Sequence, residues 1–519
     1  MPPDMFEPSG PIYIGLHIDF NSGLVCCSAI LVCAFVFRMT LIGPDPLENI
    51  PSIGYSGSIS SYITALRYLW DGPNMIQEGY QKYKGGLFKI PMLGYWMVVA
   101  TTTTAVEDIR KADDDTMSFR HALWKFLQTD YTIGPELRLD SYHVDFLRTT
   151  LTHQLTGVFP DIYDEALCAL PDAIPLSDEW KTYSAPTTVM KIVCQTSNRM
   201  FVGAPVCRNA DYQKVIIGFA LEILKALIGF MALPSFFKPY VVPIFSNITP
   251  SIRQCSAHLE PLILERREKQ AASSDGNWED KPNDLLMWCM DNGREAEQSV
   301  TNLTRRIILV NFAAIHMSTT ALTYALYNLV TYPECIPVLR QEVESIVGIH
   351  GWSKRSLNKM LKLDSFLRET LRLHSVGTWG MQRLTLKPFT FSDGTRIPAG
   401  TMIGCPVVPM QTDPGLHNNP KEFQPWRFCG STSGDTGDED RKRFLQLTST
   451  TPDFIIFGHG KVACPGRFFG SLVLKILLAR MVITYDIAFE SGRSRPPNIY
   501  ISSASVPGDV NLVFRKRQN

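Results

Sequence analysis

The chain lacks an excess of either charge. Its 519 residues carry 50 basic and 50 acidic side chains, a formal net charge of zero. Nothing in that balance draws in a polyanion, so nucleic-acid binding has no electrostatic support. Paired cysteines are missing too. The twelve cysteines form no CxxC and keep no regular spacing, and Cys26, Cys27 and Cys33 share one apolar run. A disulfide framework and a zinc site are both disfavoured, and a reducing compartment fits. Internal repeats and long low-complexity runs are absent from the sequence.

A full-length apolar span is also lacking near the N-terminus. Leu24–Phe37 is uncharged but only fourteen residues long, against the ~20 that cross a bilayer. Continuing to Gly43 makes up the length at the cost of Arg38, which can snorkel to the interface. Asp4, Glu7 and Asp19 precede the run and Arg38 follows it. That asymmetry puts the N-terminus in the lumen and the body in the cytosol. The other reading is a cleaved signal peptide. Against it, the run starts late, has no basic n-region and lacks a small-x-small exit. The expected organisation is a lumenal segment at 1–23, a transmembrane anchor at 24–43 and one large body at 44–519. Pro44, Pro46 and Pro51 stiffen the linker, so globular structure should begin near Pro51.

What the chain does have is one cysteine framed by glycines. Cys464 lies in FGHGKVACPGRFFG, Phe457 to Gly470. Glycines 458, 460 and 466 permit angles and approaches that side chains block. A helix-like segment, 468–483, follows. Its unpaired N–H groups and positive end would face the sulfur and lower the thiol's pKa. A thiolate on a tight loop beside an aromatic ring, Phe457, suits an axial ligand of haem iron. A lone cysteine is otherwise a small buried hydrophobe.

Elsewhere the pattern is mostly helical. Helices are expected over 104–112, 142–155, 300–331, 334–347 and 356–374. Lys84 to Ala100, rich in β-branched and aromatic residues, reads as a strand pair. Asp393-Gly394 reads as a hairpin turn within 389–402. Ala271 to Asp284 is polar and reads as an exposed loop. Ile216 to Ile244 is apolar but broken by three prolines and three charges. An amphipathic helix with an apolar loop, on or in a membrane, and a core helix are both open there.

Phe457, Gly460, Cys464 and Gly466 fill the pattern FxxGxxxCxG, and here the chain resembles the cytochrome P450 family. Two more motifs lie in the right order before it: Glu369-x-x-Arg372 on a helix and FQPWRF, which carries Arg427. The resemblance implies a mainly α fold with a minor β region, preceded by the transmembrane helix. It implies haem b held by Cys464, with Phe457, Gly460 and Gly466 shaping the loop. It implies a Glu369–Arg372–Arg427 brace under that loop. Arg148 and Arg383 become the expected contacts of the haem propionates; a solvated surface arginine is the other reading of each. The family's WxxxR is only half present, with Val144 in the tryptophan position and His143 beside it. Val462 replaces the usual basic residue before the cysteine, for which Lys461 or His459 could compensate.

On the long helix, Ala313-Ala314-Ile315-His316-Met317-Ser318 aligns with the family's distal motif, and the paired alanines leave room for a flat cofactor. His316 stands for the acid and Met317 for the hydroxyl that helps deliver protons. Methionine has no proton to give. Ser318 and Thr319 are the nearest hydroxyls, though rotated about 100° and 200° away. His316 can titrate near neutrality and could feed a water chain. By family position, substrate contacts are expected at Phe119 to Trp124, 216–237, His316, Val376 to Trp379 and Val506.

The function expected is a membrane-anchored monooxygenase of the endoplasmic reticulum acting on a lipophilic molecule, with a terpenoid as the substrate guess. Electrons would come from NADPH through a cytochrome reductase, with cytochrome b5 a further partner. Met317 leaves an isomerase, dehydratase or desaturase open, and a non-catalytic haem-binding membrane protein is the rival from another class. The sequons at Asn247 and Asn302 should be unmodified if the body is cytosolic.

Overall fold

The computed structural model describes residues 46–57, 60–139, 141–230, 238, 246–294, 297–430, 445–501 and 504–518. The lumenal segment and anchor expected at 1–43 lie outside these residues. So does most of the apolar stretch after Phe230.

The body is built around helix Val300–Thr331, 32 residues long and therefore about 48 Å from end to end. Ser299 caps it, its side chain accepting from the Asn302 N–H at 3.2 Å. Such an oxygen satisfies one of the orphan donors at a helix start. Among the described residues this is the one helix long and apolar enough to cross a membrane, yet 61% of its apolar window is buried in protein. It is a core helix. Helices Ala185–Phe201, Ile248–Ala272, Leu361–Leu373 and Arg467–Thr484 pack on it.

The β structure lies to one side. Strands β1 (Leu87–Met92), β2 (Tyr95–Ala100) and β3 (Met117–Ser118) come early, and β4 (Lys181–Ser184) follows and joins a separate three-stranded sheet with two of the last strands. Then follow β5 (Trp379–Thr385), β6 (Phe389–Thr390), β7 (Arg396–Ile397) and β8 (Met402–Pro406). Last come β9 (Tyr485–Phe489), β10 (Asn498–Ile501), β11 (Ala504–Pro507) and β12 (Asn511–Lys516). The main sheet runs β1-β2-β8-β5-β3, and β10 pairs only with β11. The strand pair expected at 84–100 is β1–β2, and Asp393-Gly394 turns between β6 and β7 with Gly394 at φ 86°.

Two expected helices are broken. The one at 142–155 splits into Tyr142–Arg148 and Thr150–Gln154. At the break the Thr149 hydroxyl donates back to the Asp145 carbonyl at 2.7 Å, a local bond that competes with the helix ladder. The one at 356–374 splits at Met360, whose ψ of 78° leaves the helical region. The polar loop after Ala272 ends on a buried residue that its composition hid. Asp284 pairs with buried Arg266 and caps helix Leu285–Asn292.

Candidate active site

The cysteine loop is held by its backbone. The Cys464 N–H donates to the Phe457 carbonyl at 2.7 Å, and the Ala463 N–H to the Gly460 carbonyl at 3.1 Å. Gly458 and Gly460 take φ of 67° and 78°, angles that favour glycine. A Cβ on Gly460 would come 2.3 Å from Arg110 Cγ. Arg110 belongs to helix Thr103–Lys111, which packs on this turn. His459 fixes the same contact, its Nε2 3.2 Å from Glu107 and its Nδ1 3.1 Å from Thr450. His459 is thereby engaged, and Lys461, exposed, stands beside Val462 with no hydrogen bond or ion pair among the described residues.

Cys464 is partly accessible and its side chain forms no disulfide. The thiol is not lowered as expected. Burial pushes it up, outweighing the Gly466 N–H, the Arg467 charge and the Arg467 N–H, which all pull it down. The helix-end effect is present but smaller than desolvation. A metal cation bound to the sulfur would supply the remainder, because coordination deprotonates a thiol outright.

The expected Glu369–Arg372–Arg427 network is formed. Arg372 donates through Nε to Glu369 Oε2 at 2.7 Å and through Nη2 to Oε1 at 2.9 Å. Arg427 Nε lies 3.1 Å from both carboxylate oxygens. Arg372 Nη1 also donates to the carbonyls of Gln411 and Pro420 at 2.7 and 2.6 Å. A buried carboxylate with two guanidiniums and a backbone donor, Gln424 N–H at 2.9 Å, meets the condition for tolerating charge in a core. Asp364, on the same helix, pairs with Lys475 and ties it to helix Arg467–Thr484, which begins just past Cys464.

Between its end turns the long helix has two exposed positions, four residues apart. Ala313 is exposed and Met317 is 42% exposed, on a helix otherwise mostly buried. Leu309, one turn earlier, lines a cavity of about 310 Å³ whose wall includes Lys461 and Val462. The open face of this helix is thus apolar. Thr319 is buried, and its hydroxyl has no partner among the described residues. It lies about 200° round from Met317, so it does not share the open face as a proton donor. His316 does not titrate near neutrality either: burial pushes it down to about 4. It is neutral at physiological pH, and its Nε2 has no hydrogen-bond partner among the described residues.

The cavity collects cations. Arg120 and Arg148 line it with Lys461, against two acids, Asp114 and Asp145. Arg148 is exposed at the end of its helix. It lies close enough to Arg467 to be felt there: Arg467 is held low by burial, raised by Cys464 and lowered again by Arg148. Arg383 is buried behind the lining residue Phe119, with its guanidinium 5.8 Å from that ring. A register shift in β5 between Gly380 and Arg383, with Met381 at φ 53°, sets its direction. Burial takes Arg383 down to about 10, so it stays charged at neutral pH. Its one hydrogen bond among the described residues goes to the Gln382 carbonyl.

Sequence reasoning missed His143. It lines the cavity, is buried, and accepts from Arg306 at 3.0 Å through Nδ1. Burial, and then the Arg306 charge, push it down to about 3. With Nδ1 accepting, the proton sits on Nε2, leaving a neutral donor beside Arg148. The pairing partner, 163 residues away, left no local signal.

The sequence profile of the Cytochrome P450 family matches residues 44–510. The chain belongs to the cytochrome P450 family. Cytochrome P450 monooxygenase 71 of Postia placenta is 37% identical over 478 residues, spanning 92% of this chain and 94% of that one. Cytochrome P450 monooxygenase CYP512U6 of Ganoderma lucidum is 32% identical over 508 residues, spanning 97% and 98%. Ent-kaurene oxidase P450-4 of Gibberella fujikuroi is 28% identical, spanning 94% and 96%. Among solved structures, the cytochrome P450DA heme domain has the same fold, at TM-score 0.67 over 90% of this chain and 98% of that one, with 15% identity.

The P450 is an oxidoreductase of the monooxygenase type, and its family implies a haem-iron cofactor. The residues present fit that group. Nothing lies within 4 Å of a Cβ built on Gly466 or Gly470, so open space flanks the start of the cysteine's helix. Exposed Ala313 and Met317 leave the long helix bare on one face. Arg120, Arg148 and Lys461 line the cavity beside Val462, one more cation than its two acids, Asp114 and Asp145.

Proposed function

We propose that this P450 holds haem through the Cys464 sulfur and oxidises a lipophilic small molecule in the cytosolic face of an endoplasmic-reticulum membrane. Arg148, Arg383 and the Nε2–H of His143 would hold the propionates, with Lys461 standing near Val462. Ala313 and Ala314 give the flat cofactor room on the distal side. When bound, the haem supplies dioxygen activation, which thiolate ligation favours. The chain's part is to orient the substrate, exclude water and govern proton access along helix Val300–Thr331. Electrons come from NADPH through a reductase, with cytochrome b5 as an accessory donor. Residues 24–43 anchor the body. A terpenoid substrate draws support from the relative described as an ent-kaurene oxidase.

The observation that carries this reading is the Cys464 loop: a partly exposed cysteine on a backbone-fixed turn, in a chain that also carries the buried Glu369–Arg372–Arg427 ion-pair cluster. Full-length protein expressed with haem supply should give, on reduction with carbon monoxide, the red-shifted Soret band of a thiolate complex. Cys464→Ala should abolish it. Well-folded protein without that band would sink the proposal.

Met317 supports a second reading, a haem-thiolate isomerase, dehydratase or desaturase, because no hydroxyl occupies the open face there. The two are separated by NADPH consumption and by counting ¹⁸O from dioxygen in the product.

A further inference from the structure

The methionines of this chain are core residues with one departure. Among the described residues twelve are buried, Met190 is partly covered and Met317 alone is exposed, at 42%. Met317 does not sit at a frayed helix end. It lies in the middle of helix Val300–Thr331, and Ala321, four residues on, is buried. Four residues back, Ala313 is exposed; four further back, Leu309 lines the cavity that Val462 also lines. Residues four apart on a helix share a face. The row Leu309, Ala313, Met317 therefore opens on the side of the cysteine loop, since Val462 is two residues from Cys464. Helix Arg467–Thr484, which follows that cysteine, packs on the same long helix.

A thioether in that place has a chemistry of its own. It is flexible and polarizable, and one oxygen atom converts it to a sulfoxide. The hydroxyl that the family pattern puts here cannot take up oxygen in this way. Nor does the reaction need a proton from the helix, which suits a face where His316 is neutral and Thr319 is turned away.

We propose that Met317 is a built-in acceptor of the enzyme's own oxygen: with no small-molecule substrate present, its thioether becomes the sulfoxide. This rests on the monooxygenase reading above and goes beyond it, because the oxygen enters the chain itself. The O–O bond of dioxygen breaks. One oxygen atom bonds to the Met317 sulfur through a sulfur lone pair, a two-electron oxidation in which no bond to sulfur is lost. The other leaves as water, taking two electrons and one proton from NADPH and one proton from solvent. The product side chain is polar where the thioether was apolar, so an enzyme running without substrate alters its own open face.

The test incubates full-length haem-loaded protein with reductase, NADPH, catalase and ¹⁸O-labelled dioxygen, without added substrate, and weighs the tryptic peptides. Cleavage after Arg306 and Arg340 leaves 307–340, whose one methionine is Met317; cleavage after Lys181 and Lys191 leaves 182–191, whose one methionine is Met190. Peptide 307–340 should gain one ¹⁸O atom and 182–191 none. Excess carbon monoxide, which competes with dioxygen but leaves the reductase running, should abolish the gain. Methionine sulfoxide reductases applied to the peptide should remove the label; a label they leave in place is not on sulfur and overturns the proposal. Equal labelling of Met190, or labelling that survives carbon monoxide, would trace the oxygen to a diffusing oxidant and overturn it too. A thiolate Soret band with NADPH consumed and Met317 unlabelled overturns this inference alone. Absence of that band overturns the function proposed above, and this inference with it.

Discussion

Under the proposed function, Met317 is the residue whose side chain bears most directly on proton delivery. It occupies the open turn of the long helix, 42% exposed, where a hydroxyl would sit in the family pattern. General acid catalysis contributes roughly 10²-fold or more when the donor is positioned. Met317→Thr should therefore raise the fraction of NADPH that ends in oxygenated product, read as product per NADPH. An unchanged ratio would mean that proton delivery takes another route. His316, held near pKa 4 by burial, is neutral across the working range. His316→Gln should change rates without moving any inflection in the pH–rate profile between 5 and 8. Residue identities were legible in the sequence here; the protonation state was not, because it depends on how deeply neighbouring helices enclose the ring.

The helix that carries the Glu369–Arg372 pair is tied through Asp364–Lys475 to the helix that follows Cys464. Removing one member of a buried ion pair costs about 3–5 kcal/mol, so Glu369→Gln should lower thermal stability by that order and reduce haem occupancy. Arg427→Ala should cost less, because its partner retains Arg372 and the Gln424 N–H. Gly460→Ala combines φ 78° with a Cβ 2.3 Å from Arg110 Cγ. Such backbone strain costs roughly 1–3 kcal/mol, and it should appear as a lower melting temperature and a smaller thiolate Soret band. These motifs were readable because each is a short run with fixed spacing. The helix break at Thr149 was not, since it turns on a side-chain bond that competes with a well-patterned helix.

At the scale of the molecule, buried histidines set a pH limit. Burial and neighbouring arginines hold His143 near 3, His316 is near 4, and His374 is pushed well below its usual value. Unfolded, each titrates near 6.5. The unfolded chain thus binds more protons below that pH, so stability is fully present above about 6.5 and falls with acidification. Each histidine contributes up to about 1.4 kcal/mol per pH unit. Melting temperature should drop steadily from pH 6.5 toward 4.5, with a shallower slope in His374→Asn. A flat profile over that range would contradict the burial.

The linear sequence by itself determined the family, the cysteine loop, the ExxR brace, the long helix and the strand pair at 87–100. Those are local patterns: spacing along one helix, glycines at fixed offsets, or a hairpin between neighbours. Only the tertiary structure decided what the polar residues do. It engaged His459 with Glu107, gave His143 to Arg306, turned Arg383 behind Phe119 through a strand irregularity and left Met317 on the bare face. Each depends on a partner tens to hundreds of residues away and on desolvation, and neither is written in local pattern.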